Sequence, residues 1–190
     1  MTGPTAPARR RRADAQRNYE RLLVIARAAV DESGGDVSLE AVARDAGVAI
    51  GTLYNHFPTR QDLLEAVFLD DVHELQRSAG ELADAADPLE ALTGWLRAQL
   101  GFSARGRSMG AAVVSAKHAE GSEIYRANQA MQQAGAVLLE RAQAAGVVRP
   151  GIGIIEVLRL VYGIGMAIDH AADPAGADKM FAIVVAGIRA

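Results

Sequence analysis

Apolar residues recur at helical spacing along almost the whole chain, and no stretch alternates in the two-residue rhythm of a strand, so the predicted class is all-α. A first helix is predicted over about Asp14–Asp31, burying Tyr19, Leu22, Leu23, Ala26 and Val30, with Ser33-Gly34-Gly35 ending it. Two short helices follow. In the first, Leu39, Val42, Ala43 and Ala46 share a face, Ser38 fits the N-cap, and Glu40 lies in the first turn, where a carboxylate suits the helix dipole. Gly47 then stands where a left-handed residue ends the helix and turns the chain. Ala43 occupies the crossing of the two helices, where a larger side chain would push them apart. In the second, Val48 and Leu53 return to the core, while Ile50, Gly51, Thr52, Tyr54, Asn55 and His56 crowd the helix with groups suited to phosphates or base edges. This is the layout of a helix-turn-helix DNA reader.

Pro58 stops the second short helix, and Thr59-Arg60-Gln61-Asp62 supplies a capping start for the next, with Asp where Glu or Gln is usual. That helix carries Leu63, Leu64, Val67, Phe68, Val72, Leu75 and Leu82 on one stripe, long enough to leave the reader and enter the rest of the protein. Asp87-Pro88-Leu89-Glu90 opens a further helix to about Ser103. Breaks at Arg105-Gly106, Glu120-Gly121, Gly146 to Gly151 and Asp173-Pro174 imply four more, near 107–118, 122–145, 152–171 and 175–189, or nine in all. The predicted organisation is a flexible basic arm over 1–13, a helix-turn-helix domain over 14–60 and a helical ligand-binding and dimerisation domain over 61–190.

Composition narrows the class. Half of the 190 residues are hydrophobic and 23% are charged, enough for a sizeable core. No cysteine is present, which removes disulfides and thiolate metal sites. The first residues, MTGPTAPARRRR, lack the apolar run of a secretory signal, and Glu156 and Arg159 interrupt the most apolar late stretch, so a cytoplasmic protein without a membrane span is expected. The net charge of −3 looks wrong for a DNA binder until it is divided along the chain. Residues 1–60 carry nine arginines against seven acids, and residues 61–190 carry eleven basic against sixteen acidic groups. The Arg9–Arg12 run suits an arm drawn to phosphates, or a solvated tail.

Catalysis has no visible apparatus. The four histidines His56, His73, His118 and His170 form no i,i+4 pair, and no nucleophile elbow, Walker loop or dinucleotide fingerprint occurs. Asp70, His73 and Glu74 lie on neighbouring turns, but such groups on a helix face are usually solvated, so neither metal nor cofactor is expected.

The segment AGVAIGTLYNHFPTRQDLLEAV closely resembles the signature of the tetracycline-repressor (TetR) family, A-G-V-x-x-G-T-L-Y-x-H-F before a basic residue and an apolar helix. The resemblance covers about Arg17 to Phe68, and beyond that it is architectural. It implies that Thr52, Tyr54, His56 and Arg60 bind phosphates, that Ser38 caps at the DNA backbone, and that Ile50, Gly51 and Asn55 face bases. Arg60 stands where the family more often has Lys, and Ile50 can read only a thymine methyl or groove shape. The implied function is a dimeric regulator, most often a repressor, on a palindromic double-stranded operator, released by a small apolar effector of unknown identity.

The last two predicted helices are apolar nearly all round, which requires cover on every face and points to a homodimer through a four-helix interface. Leu158, Val161, Tyr162, Gly165, Phe181, Val184 and Ile188 are the candidate seam residues, and the resemblance implies the same pairing. Trp95, Phe102, Met109, Tyr125 and Met166 are candidates to line an effector cavity, although an apolar stripe is more often plain core. Glu156, Asp169, His170 and the Lys117-His118 pair either orient a ligand or lie at the helix surface. Two other readings stay open: a helix-turn-helix regulator that is constitutive or answers to a protein partner, and an all-helical enzyme or carrier.

Overall fold

The computed structural model describes residues 6–109, 120–167 and 173–190. Among them are eight helices: α1 (Ala6–Ser33), α2 (Leu39–Asp45), α3 (Ile50–His56), α4 (Arg60–Leu82), α5 (Pro88–Ser108), α6 (Glu123–Ala144), α7 (Ile154–Ala167) and α8 (Pro174–Ile188). The class is all-α. Two boundaries differ from the sequence reading. The backbone of α1 is helical from Ala6, where an arm was expected, because the Ala-Arg stretch ahead of Asp14 is made of strong helix formers. Helix α5 runs through Arg105-Gly106 to Ser108, since one glycine in a helix interior costs only about 1 kcal/mol and the flanking turns offset it. The rest of the expected 107–118 helix, with Lys117 and His118, lies outside the described residues, as do Asp169 and His170.

The chain divides into two compact units after Val67. The first unit is built around Leu22, Leu53 and Leu63, all fully buried, with Leu23, Ala26 and Val30 of α1 and Val42 and Ala43 of α2 closing the core. The first two turns of α4, expected to open the second domain, contribute buried Leu63, Leu64 and Val67 to the first. Helix α2 is capped as anticipated, Ser38 Oγ accepting from Ala41 N at 3.2 Å. Helix α4 begins with a reciprocal box, Thr59 N donating to Asp62 Oδ2 at 2.8 Å and Asp62 N to Thr59 Oγ1 at 3.2 Å. The shorter Asp thus performs the task of the usual Glu.

In the second unit α5 is the axis, packed by α6 and α7, with α8 laid on α7. The Trp95 side chain is 1% exposed and its Nε1–H donates to Leu75 O at 2.8 Å, tying α5 to α4. Its ring lies against Gly135 of α6, where an added Cβ would fall inside the indole. Gly165 of α7 has the same duty against α5, since a Cβ there would strike Ser103 Oγ. Arg105 Nη1 reaches Asp71 Oδ2 at 3.0 Å, a mostly buried pair joining α5 to α4. At the far end Arg97 pairs with Asp178 at 2.5 Å and lies 4.8 Å from the Phe181 ring centre, fastening α8 to α5.

The packing places most of the seam candidates inside the chain. Leu158, Val161, Gly165, Phe181 and Ile188 are all buried within the chain, and Tyr162 points its hydroxyl inward to Gln99 Oε1 at 3.0 Å. Val184 and Tyr162 are half-buried. An all-round apolar helix has an inner and an outer face, and α5 claimed the face carrying most of the named residues. The outer face holds Leu160 and Met166 of α7, each 56% exposed, with Met180 and Ile183 of α8 at 41% and 71%.

Gly135→Ala is expected to destabilise the protein by about 1–3 kcal/mol through overpacking against Trp95, despite the better helix propensity of Ala. Gly80→Ala, which meets nothing within 4 Å on α4, should change stability little or raise it. Urea unfolding of the two variants checks the contrast.

Candidate nucleic-acid interface

Helix α3 is held by few groups. Leu53 is fully buried and Phe57, just after the helix, is 2% exposed, while Tyr19 of α1 places its ring 5.4 Å from Phe57 and 5.7 Å from His56. The turn before it is set by Gly47 at φ 64°, a conformation that disfavours any other residue, and by the Arg21 guanidinium of α1 donating to Ala46 O. With one side pinned, Ile50, Gly51, Tyr54 and Asn55 fall on the exposed side as a single stripe, and Thr52 and His56 flank it half-buried. A Cβ at Gly51 would meet nothing within 4 Å. The fold therefore does not require glycine there, although glycine weakens a helix, and close approach of another molecule's backbone is a reason for it.

Two acidic residues complete the surface. Tyr54 OH donates to Glu40 Oε1 at 3.4 Å, Ser38 Oγ to Glu40 Oε2 at 3.1 Å, and Arg60 Nη1 to Asp36 Oδ1 at 3.3 Å. Hydrogen bonds from the backbone, Ser38 and Tyr54 hold the Glu40 carboxyl below its ordinary range. All eight residues proposed from the sequence thus gather on one side of the unit around α3 and its two flanking caps, except that His56 spends part of its ring on Tyr19 and Phe57. Asp36 and Glu40 were not foreseen as their partners. Their pairing depends on loops meeting in space, which spacing along the chain does not reveal.

Among the described residues the effector candidates take different positions. Trp95, Phe102 and Met109 are buried core residues, Tyr125 is half-buried, and Met166 lies on the outer face of α7. Met166 is 56% exposed, on a turn of α7 turned outward. Asp70 is half-buried, His73 and Glu74 are exposed, and Glu74 is paired with Arg77. Among the described residues no group of three or more metal-ligating side chains gathers, and no helix is long and apolar enough to cross a membrane.

Residues 22–67, which hold this surface, match the family of bacterial regulatory proteins of the tetR type, and residues 87–190 match the SbtR-like C-terminal domain of transcriptional regulators. The chain belongs to the TetR family. It is 33% identical to a TetR transcriptional regulator from Streptomyces coelicolor, over 90% of this chain and 97% of that one, with a TM-score of 0.76. A TetR transcription regulatory protein from Mycobacterium vanbaalenii is 30% identical over 94% of this chain and 99% of that one, with a TM-score of 0.67. Over 62 residues, 32% of the chain, it is also 37% identical to an HTH-type transcriptional regulator of Staphylococcus aureus (strain USA300). The match spans about a third, 34%, of that curated relative's length. TetR-family membership accounts for both units: a helix-turn-helix followed by a helical C-terminal domain.

Ser38→Ala and Tyr54→Phe should each move the Glu40 carboxyl back towards its ordinary value, as read by side-chain NMR titration. Because the folded value is depressed, the contribution of this carboxylate to stability is present above the unfolded value and is lost as pH falls through the folded one. Ser38→Ala should also cost about 0.5–2 kcal/mol through the lost cap.

Proposed function

We propose that this TetR-family protein is a homodimeric, ligand-responsive regulator that represses by occupying a two-fold symmetric operator. The observation that carries the reading is the exposed stripe Ile50, Gly51, Tyr54 and Asn55 on a reader helix whose opposite side is locked by Leu53. A stripe of this size fits the major groove, with Asn55 able to form paired hydrogen bonds to an adenine edge. Ile50 contributes apolar contact to a thymine methyl. Tyr54, Thr52 and Arg60 serve phosphates, and the pairing of Tyr54 with Glu40 and of Arg60 with Asp36 keeps both side chains oriented until a phosphate replaces the acid.

A reader this small needs a second copy to reach useful affinity. The outer faces of α7 and α8, with Leu160, Met166, Met180 and Ile183, form the seam of the dimer, in place of the buried residues named from the sequence. Gly163 and Gly187 lie on these helices with open space at their Cβ positions, which suits close approach of a partner helix. An uncovered patch of this kind is uncommon on a stable monomer. Effector binding in the second unit shifts the dimer away from the spacing that two successive major grooves demand, and α4, one continuous helix from Arg60 to Leu82, carries the change.

Arg60→Ala should weaken binding to operator and random DNA alike and lower the salt slope by about one, whereas Asn55→Ala should relax sequence preference with the slope unchanged. Fluorescence anisotropy on DNA fragments retained by the protein measures both. Unchanged affinity and slope in the Arg60 variant would remove that residue from the backbone set.

Ile183→Asp should give a folded monomer in sedimentation and abolish operator binding at physiological salt. Val161→Asp, which buries a charge inside the chain, should instead unfold the protein. A folded Ile183→Asp monomer that still held the palindrome with wild-type affinity would refute the dimer reading.

A further inference from the structure

Between α6 and α7 the second unit contains a cavity of 340 Å³, lined from α6 by Tyr125, Asn128 and Gln132 and from α7 by Ile155, Arg159 and Tyr162. Its volume falls near the lower end of the roughly 300–1,000 Å³ of small-molecule sites. Asn128 sits on the buried stripe of α6, 7% exposed, and among the described residues its Oδ1 has no hydrogen-bond partner. Several polar groups around it are engaged with one another. Tyr162 OH donates to Gln99 Oε1 at 3.0 Å, Gln99 Nε2 to Met131 Sδ at 2.9 Å, and Gln129 Nε2 to Tyr125 OH at 2.8 Å. An unmatched buried amide oxygen on a residue that lines a cavity costs free energy, which a donor reaching it from the cavity would recover. Arg159 supplies the second polar feature: it is exposed at the lining, and no described acidic side chain pairs with it. Ile155 and the two tyrosine rings provide apolar surface between these points.

We propose that this cavity is the effector site and that it takes a small aromatic carboxylate bearing a hydroxyl or N–H group. The donor satisfies Asn128 Oδ1, the carboxylate pairs with Arg159, and the ring lies against the tyrosines. The inference rests on the ligand-responsive reading and deepens it, replacing the wholly apolar effector expected from the sequence. It also supplies a route outward. The Tyr162 ring centre is 6.4 Å from that of Phe102, and Phe102 is 4.9 Å from Phe68 on α4, so a ligand that displaces Tyr162 presses on an aromatic row ending on the helix shared with the reader.

The test is calorimetric titration of the full-length protein with 4-hydroxybenzoate, 3-hydroxybenzoate and indole-3-carboxylate, beside benzoate, which lacks the donor, 4-hydroxybenzyl alcohol, which lacks the carboxylate, and decanoate, which lacks both ring and donor. At least one of the first three should bind below about 1 mM and at least about tenfold tighter than any of the second three. Asn128→Leu and Arg159→Gln should each weaken that binding by about tenfold or more. Asn128→Leu should leave the unliganded protein as resistant to urea as wild type, or more so, because it removes an unmatched buried acceptor. Failure of all three donor-bearing carboxylates, or binding that both variants leave intact, overturns the proposal. DNA binding by the unliganded protein is measured in parallel. If it holds while the titrations fail, the site assignment alone is lost; if the titrations succeed while no DNA is bound, the site stands and the regulator reading is lost.

Discussion

The second unit is organised by a single steric constraint: the Trp95 indole occupies the space that a side chain at position 135 would need. The outer edge of the indole on α5 can come this close to α6 only where α6 has bare backbone, and the Nε1–H bond to Leu75 O fixes the rotation of that ring relative to α4. Three helices are thereby set in register by one side chain. Gly165 repeats the arrangement between α7 and α5, bringing α7 close enough for Tyr162 to reach Gln99, which is itself fully buried. The cavity between α6 and α7 is what remains when two helices are each drawn against α5 at a glycine and diverge elsewhere.

The first unit follows a different logic. Its core is small, and α3 is anchored by Leu53 and the adjoining Phe57 rather than by a broad apolar face. A seven-residue helix has little stability of its own, so it depends on those anchors, on the turn at Gly47 and on α1, which contributes Arg21 to the turn and Tyr19 to the aromatic cluster. The economy is functional. Fewer inward positions leave more outward ones, and four of the seven residues of α3 are exposed. The contacts of Glu40 with Tyr54 and of Asp36 with Arg60 are exposed to solvent and therefore weak.

The two units thus separate the tasks that a TetR-family regulator must combine. In the proposed function recognition falls to the short helix α3 with its mixed exposed stripe, and pairing and effector binding fall to the second unit. Helix α4 is continuous across the division after Val67, giving its first turns to one core and its later turns, with Phe68 and Asp71, to the other.

The sequence by itself determined the helical class, most helix limits, and the caps at Ser38 and Thr59, because these depend on periodicity and on contacts three or four residues apart. Asn128 was legible in principle, as a polar residue within the stripe Ile124, Ala127 and Met131, but no local signal says whether such a group has a partner. The faces of α7 and α8 were not legible at all. When every face of a helix is apolar, periodicity gives no direction, and only packing against α5 decided that Val161 and Phe181 turn inward while Leu160 and Ile183 face out. The pairing of Arg60 with Asp36, and the convergence of Tyr125, Asn128, Arg159 and Tyr162 on one cavity, were likewise decided by tertiary structure, since each joins residues whose meeting depends on how whole helices and loops are placed.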